Sequence, residues 1–353
     1  MLPAADPTAA NDGRKIAGLE GLRGLMAWWV VIGHLAHTFG ATPYLLARNG
    51  LAVDVFIILS GFVIYRMIEA RQEPYGAYIV RRAARLLPVY LVVLGLSVLL
   101  LPVFAEAMRG VPFASERNAL RLAQASAALG HLSPHLAAHV GLLQGLVPDG
   151  VLRFAPYTIV GQAWSVSLEW QFYLVAPFVW LAIARRQWLP LAALTALAIA
   201  IAPSIGGAFI GAKALLFGIG IATELALRDR RARLPLAGCV TLYLLLGGHL
   251  IPPLVWAAAF ALRGPLAHPL LVYLGSRSYS TYLVHMLPIY LGAYTLNGWL
   301  AGEAYIAALA VFTVLFTLAA SEASYRLVER PGMALGAWLA RQSPKRRLLA
   351  EPR

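Results

Sequence analysis

Residues 24–47, GLMAWWVVIGHLAHTFGATPYLLA, contain no Asp, Glu, Lys or Arg between Arg23 and Arg48. A transmembrane helix needs about 20 mostly apolar residues to cross the hydrocarbon core, so this stretch reads as a membrane crossing. Similar runs, bounded by charge or by Gly and Pro, fall near 20–40, 50–66, 86–105, 163–184, 188–204, 208–227, 234–250, 252–264, 279–297 and 303–325. They predict an all-α, polytopic integral membrane protein of about ten transmembrane helices. The least secure boundary is at 234–262, which is free of charge but interrupted by Gly247, Gly248, Pro252 and Pro253. It fits one tilted span or two short ones.

The composition agrees. Of 353 residues, 60% are hydrophobic and 13% charged, against about a quarter charged in soluble domains, which excludes a soluble globular enzyme. The net charge of +13 does not mark a nucleic-acid binder, because the basic residues sit between apolar runs and not on one face. They follow the bias of Lys and Arg toward cytoplasmic loops. With ten spans and the N-terminus inside, 23 of the 29 Lys and Arg face the cytoplasm, five face out and Lys213 stays within a span. Both termini are then cytoplasmic, as expected for the inner membrane, with membrane lipid around the spans. Residues 1–15 read as a short disordered lead, 16–330 as the transmembrane domain and 331–353 as a basic cytoplasmic tail. A single cysteine, Cys239, excludes an intramolecular disulfide.

Ionisable groups inside spans are costly and are functional candidates by default. Arg23 and His34 are eleven residues apart, about three helical turns, and so share a face roughly 16 Å apart along the axis. Asp54 lies near the outer end of the second span. There it either orients a histidine by accepting its ring N–H or is buried in a structural ion pair. Arg81, Arg82 and Arg85 open the third span as neighbours on one helix. Such guanidiniums suit phosphates, although a topology-setting loop also explains them. Ser165, Glu169 and Tyr173, at i, i+4 and i+8, form a polar stripe on an apolar helix. The flanking Trp164 could stack on a sugar or sit in an interfacial belt. Ser278, Thr281 and His285 share one face near the inner side. The segment from Glu106 to Arg153 reads as amphipathic and surface-lying. Its His131, His135 and His139 have metal-like spacing, but Pro134 breaks the register and no acid completes a set, so no metal is expected.

Six segments in order resemble the acyltransferase family 3 membrane proteins: LEGLRGLMAWWVVIGHL, VDVFIILSGFVI, RRAARLLPVY, WSVSLEWQFYLVAP, SRSYSTYLVHMLP and SEASYRLVERP. The resemblance runs from about Gly18 to Pro331. It implies a ten-span core that moves an acyl group, most often acetyl, from cytoplasmic acyl-CoA to an acceptor outside, such as a cell-surface or secreted glycan or glycolipid. The essential Arg and His of that family correspond to Arg23 and His34, and its inner-loop arginines to Arg82 and Arg85. Where the family often has two acids this chain has Glu169-Trp170, so Glu169 alone would carry that role. Neutral His34 would take the hydroxyl proton or carry the acyl group itself, with Asp54 or Glu169 holding its tautomer. Trp164, Ser165, Tyr173 and His285 are the expected acceptor contacts. The rival classes are a transporter, for which no inverted repeat is visible, and a scaffold, which gains nothing from buried charge.

Overall fold

The computed structural model describes residues 7–40 and 43–342, with side chains from Ala17 onward. Among these residues the chain is helical throughout and has no strand. A long α1 (Pro7–Thr38) is followed by a turn, α2 (Tyr44–Ala47), and then by α3 (Gly50–Arg71) and α4 (Tyr75–Gly110). A cap of α5 (Glu116–Gly130), α6 (Leu132–Val140) and short 3₁₀ turns leads into α7 (Trp164–Ala184), α8 (Trp188–Ile205) and α9 (Ala214–Arg228). The remainder comprises α10 (Arg233–Leu245), α11 (Ile251–Ala261), α12 (Arg263–Leu266), α13 (Pro269–Ser276), α14 (Ser278–Val284), α15 (Met286–Leu296), α16 (Gly302–Ser324) and α17 (Arg330–Gln342).

Six helical segments among the described residues are long and apolar enough to cross a membrane: Gly50–Arg71, Tyr75–Gly110, Gly161–Ala184, Trp188–Ile205, Ile210–Arg228 and Gly302–Gln342. The chain is thus a multi-pass membrane protein. α8 presents Leu189, Leu194 and Leu197 on the outside of the bundle, as a lipid-facing helix should. Residues 234–262 form two helices, α10 and α11, of 13 and 11 residues. They separate at Gly247, whose φ of +84° suits glycine best.

Close helix contacts come from small residues, which let backbones approach where no hydrophobic force between helices is available. A Cβ on Gly61 would lie 2.3 Å from the Phe217 carbonyl oxygen, and one on Gly220 would lie 2.0 Å from that of Ile58. The α3 and α9 backbones therefore meet at paired glycines. Gly21 and Gly275 lock α1 against α12 and α13 in the same way, with 1.8 Å to the carbonyls of Leu266 and Glu20.

Two expectations need correction, the lead and the cap. The lead expected to be disordered is helical from Pro7, because Ala9 and Ala10 favour helix and the turn they form continues directly into α1; residues 1–6 lie outside the described residues. The tail, expected at 331–353, begins in α17, which packs Gly332 and Gly336 against Pro88 and Ala84 of α4; its residues 343–353 lie outside the described residues. Finally, the cap at 106–153 does not merely rest on a surface. Arg121, His135 and His139 are buried in it, because Arg121 finds partners at the end of α1 and the two histidines find them at Thr158, with Tyr90 of α4 on His139.

Candidate functional site

His34 sits in the last turns of α1, half-buried, on a cavity of about 1070 Å³. Arg48, Asp54, Arg117, Arg121, Trp164 and Lys213 share that wall. Arg121 reaches across from α5. Its Nη1 donates to Thr38 Oγ1 at 2.9 Å, and its Nη2 donates to the His34 carbonyl at 2.8 Å and lies 3.4 Å from His34 Nδ1. A guanidinium has only donors, so the nitrogen facing it is the unprotonated one. Neutral His34 then carries its proton on Nε2. Burial pulls the Arg121 pKa below its ordinary value, the Tyr290 hydroxyl opposes that shift and Arg117 adds to it.

Behind His34 lies His285, fully buried, with ring centroids 5.2 Å apart. Its Nδ1 lies 2.8 Å from the Tyr282 carbonyl, which can only accept, so Nδ1 holds the proton and Nε2 keeps a lone pair. That Nε2 has no hydrogen-bond partner among the described residues. His285 occupies the junction of α14 and α15. Pro288, three residues on, has no N–H for the Val284 carbonyl and loosens the helix there.

A second cavity, of about 690 Å³, is lined by Arg23, Ser60, Arg66, Arg82, Arg85, Ser165, Glu169, Tyr173, Ser278 and Tyr279, among others. Its ion pairs leave one cation over. Arg23 binds Glu20 at 3.0 Å, Arg66 lies 3.8 Å from Glu224, and Arg85 donates to the buried Glu329 at 2.6 Å. Ser280 holds the other Glu329 oxygen at 2.6 Å. Arg82 has no carboxylate in contact among the described residues; its guanidinium lies 5.7 Å above the Tyr173 ring and its Nε is buried without a partner. The hydroxyls of Ser60 and Ser278, on the same wall, are also unpartnered. Buried polar atoms without partners are rare, and three on one wall mark a place for a polar ligand.

The two cavities have Val53 and Tyr282 in common. The Tyr282 hydroxyl meets Ser165 Oγ at 2.7 Å and the Gln162 carbonyl at 2.8 Å, while Gln162 Nε2 donates to the Leu283 carbonyl at 2.6 Å. This small hydrogen-bonded septum holds Tyr282, which with Val53 is what the two walls share.

The expected site residues divide between the two chambers. Arg23 and His34, on one helix, open onto different cavities. The Ser165, Glu169 and Tyr173 stripe is real and lines the Arg82 cavity, with the Tyr173 hydroxyl bonded to Glu169. Only Trp164 of the expected acceptor contacts lines the His34 cavity. His285 belongs beside His34 and not near the other end. Asp54 does not orient His34. Its Oδ1 accepts from Lys213 Nζ at 2.6 Å, the ion-pair alternative, and Glu169 is likewise remote from His34's hydrogen bonds. Arg81 turns away to Glu73 at 2.8 Å and is absent from the cavity wall. Arg121 went unnoticed because its segment reads as a surface amphipath, where arginine carries no signal.

His135 and His139 are hydrogen-bonded within the cap. Thr158 Oγ1 lies 3.0 Å from His135 Nδ1 and 3.3 Å from His139 Nε2, and the Tyr90 hydroxyl lies 3.1 Å from His139 Nδ1. Burial pushes the His139 pKa down to about 3, with His135 adding to the shift. His135 is lowered for the same first cause, helped by His131.

One chamber thus carries His34, with His285 behind it, and the other carries Arg82 without a carboxylate in contact among the described residues. Residues 16–322 match the acyltransferase domain of the acyltransferase 3 family, and the chain belongs to that family of membrane acyltransferases. It is also similar to "Protein 2 in picA locus" of Rhizobium radiobacter, 39% identical over 83 residues, which is 22% of this chain and 41% of that relative. The match therefore spans about two fifths of the curated relative. No solved structure gives a significant match.

Proposed function

We propose that the protein transfers an acyl group, most simply acetyl, from acyl-CoA bound on the cytoplasmic side to a hydroxyl of a glycan or glycolipid on the far side of the inner membrane. The observation that carries this reading is the pair of cavities meeting at Val53 and Tyr282. Donor and acceptor approach from opposite ends, and only the acyl carbon has to pass the septum. The excess of Lys and Arg at the Arg82 end supports a cytoplasmic placement of that chamber. It also supports ten crossings with both termini inside, in which α1, α10, α11 and the α14–α15 pair add to the six longer segments.

In this reading the donor's phosphates lie against Arg82, Arg23 and Arg66, and its thioester end points toward Tyr282. The acceptor hydroxyl sits beside His34. The hydroxyl displaces the long Arg121 contact at His34 Nδ1, which takes the hydroxyl proton as the oxygen attacks the thioester carbonyl; the C–S bond breaks, and the CoA thiolate collects a proton on the other side. His285 Nε2 receives the hydrogen bond from His34 Nε2–H and holds the tautomer, the task first given to Asp54 or Glu169. Such contacts are often long in the free enzyme and tighten with substrate. Arg121, beside the reacting nitrogen, stabilises the oxyanion.

The deciding experiment follows label from radiolabelled acetyl-CoA in inside-out membrane vesicles, with wild-type and His34→Ala protein at equal expression. Label that reaches envelope glycan only with His34 supports the proposal. Transfer at the wild-type rate in His34→Ala, or no transfer with any acyl donor, removes it.

A further inference from the structure

The His34 cavity gathers more positive charge than acyl transfer requires. Arg48, Arg117, Arg121 and Lys213 line it against one carboxylate, Asp54, and Lys213 already holds Asp54 at 2.6 Å. Three guanidiniums therefore face the cavity without a carboxylate partner among the described residues. Arg121 is compensated in part, because it donates to the C-terminal turn of α1, where the helix dipole is negative. Arg117 lies one turn earlier on the same face of α5 and is exposed on the cavity wall, and Arg48, also exposed, lines the same cavity with its guanidinium 4.5 Å above the Tyr44 ring. Like charges converging in a low-dielectric cleft repel one another and focus a field that concentrates anions. A neutral sugar gains nothing from that arrangement. A planar guanidinium is matched by carboxylate or phosphate, which it binds through two parallel N–H donors.

We infer that the acceptor is anionic: the glycan carries a carboxylate or phosphate group that lies between Arg117, Arg121 and Arg48 while a neighbouring hydroxyl meets His34. This rests on the reading of the His34 cavity as the acceptor site. Arg121 near the reacting nitrogen and Arg117 one turn out would fix the charged group just beyond the hydroxyl, so the site selects for the charge and for its position on the sugar.

The test uses the full-length chain in lipid nanodiscs and three matched probes that differ only at C6: methyl glucoside, methyl glucuronoside and methyl glucoside 6-phosphate. At least one anionic probe is expected to bind about tenfold or more tighter than methyl glucoside, the value of one charge-assisted hydrogen bond. That preference should shrink with added salt and in Arg117→Gln and Arg48→Gln, both at exposed positions where folding is undisturbed. The stronger of the two anionic probes identifies carboxylate or phosphate as the source. Equal binding of neutral and anionic probes, or a preference unchanged in both variants, overturns the proposal. Labelled acetyl transfer on the same samples separates the two readings. His34-dependent acetylation of neutral and anionic glycans at equal rates keeps the enzyme and rejects the anion site. Preferential binding of anions without any His34-dependent transfer keeps the anion site and rejects the enzyme.

Discussion

His285 keeps its proton on the Tyr282 carbonyl, 2.8 Å away, and so presents a bare nitrogen in the buried space next to His34. In the proposed reaction the two imidazoles, in complementary tautomers, would act as an orienting pair without a carboxylate once His34 Nε2–H closes on that nitrogen. If His285 positions His34, His285→Gln lowers the rate of transfer by about 10²-fold or more and leaves the acyl-CoA requirement unchanged, because nothing on the donor side has moved. Steady-state kinetics in vesicles check this. A rise in KM for acyl-CoA at constant kcat would assign His285 to substrate binding instead.

The two arginines of the Arg-x-x-Arg segment should behave differently. Arg85 neutralises Glu329, which is 1% exposed, and removing it strands a buried charge at a cost of about 3–5 kcal/mol. Arg85→Ala is therefore expected to lower the folded yield in membranes, and the double variant Arg85→Ala, Glu329→Ala to recover part of it. Arg82 has no such partner. Arg82→Ala should fold normally and raise the apparent requirement for acyl-CoA. Fluorescence-detected size exclusion and donor titration distinguish the pair, and the same phenotype for both would contradict this division.

Tyr282 stands between the two cavities and is held there by two hydrogen bonds. Tyr282→Phe keeps the bulk and loses about 1 kcal/mol per bond, so the variant stays tight. Tyr282→Ala joins the chambers and admits water to the thioester. Thiol release from acetyl-CoA without acceptor should rise in the alanine variant alone; no rise would mean that other side chains seal the passage.

Acid should loosen the cap before the bundle. His139 is neutral in the folded cap down to about pH 3, whereas an unfolded cap binds that proton below about pH 6.5. A histidine with a depressed native pKa contributes stability that is complete above the unfolded value and is lost as pH falls, by about 1.4 kcal/mol per unit for one group. His135, also lowered, has the same sign. Hydrogen exchange of residues 116–140, corrected for intrinsic rates, should speed up between about pH 7.5 and about pH 5. The effect should diminish in His139→Gln. Equal slopes in both proteins would assign the acid sensitivity elsewhere.

The single-helix relations were legible in the sequence, because helical geometry alone fixes them: Arg23 with His34 on α1, and Ser165, Glu169 and Tyr173 on α7. The partners across helices were not. Asp54 and Lys213 are 159 positions apart, and nothing in either segment says that they meet. His34 and His285 are equally remote, though both stand out as ionisable groups in apolar runs. Arg121 shows the opposite failure. A cap helix with other polar residues around it hides one buried arginine, since burial there depends on the tertiary fit of α5 over the end of α1. The break at Gly247 was visible, yet the shortness of α10 and α11 leaves them outside a count that rests on length.

The septum at Val53 and Tyr282 also has an electrical consequence. If water fills the chambers on both sides, the membrane potential drops mainly across those few side chains and not across the full bilayer. A unit charge moved through that gap does work of about 2.3 kcal/mol for each 100 mV, and in the proposed reaction the hydroxyl proton stays on one side while the thiolate takes a proton from the other. In the proposed reaction each turnover would therefore move one positive charge outward, and transfer would slow as the inside becomes more negative.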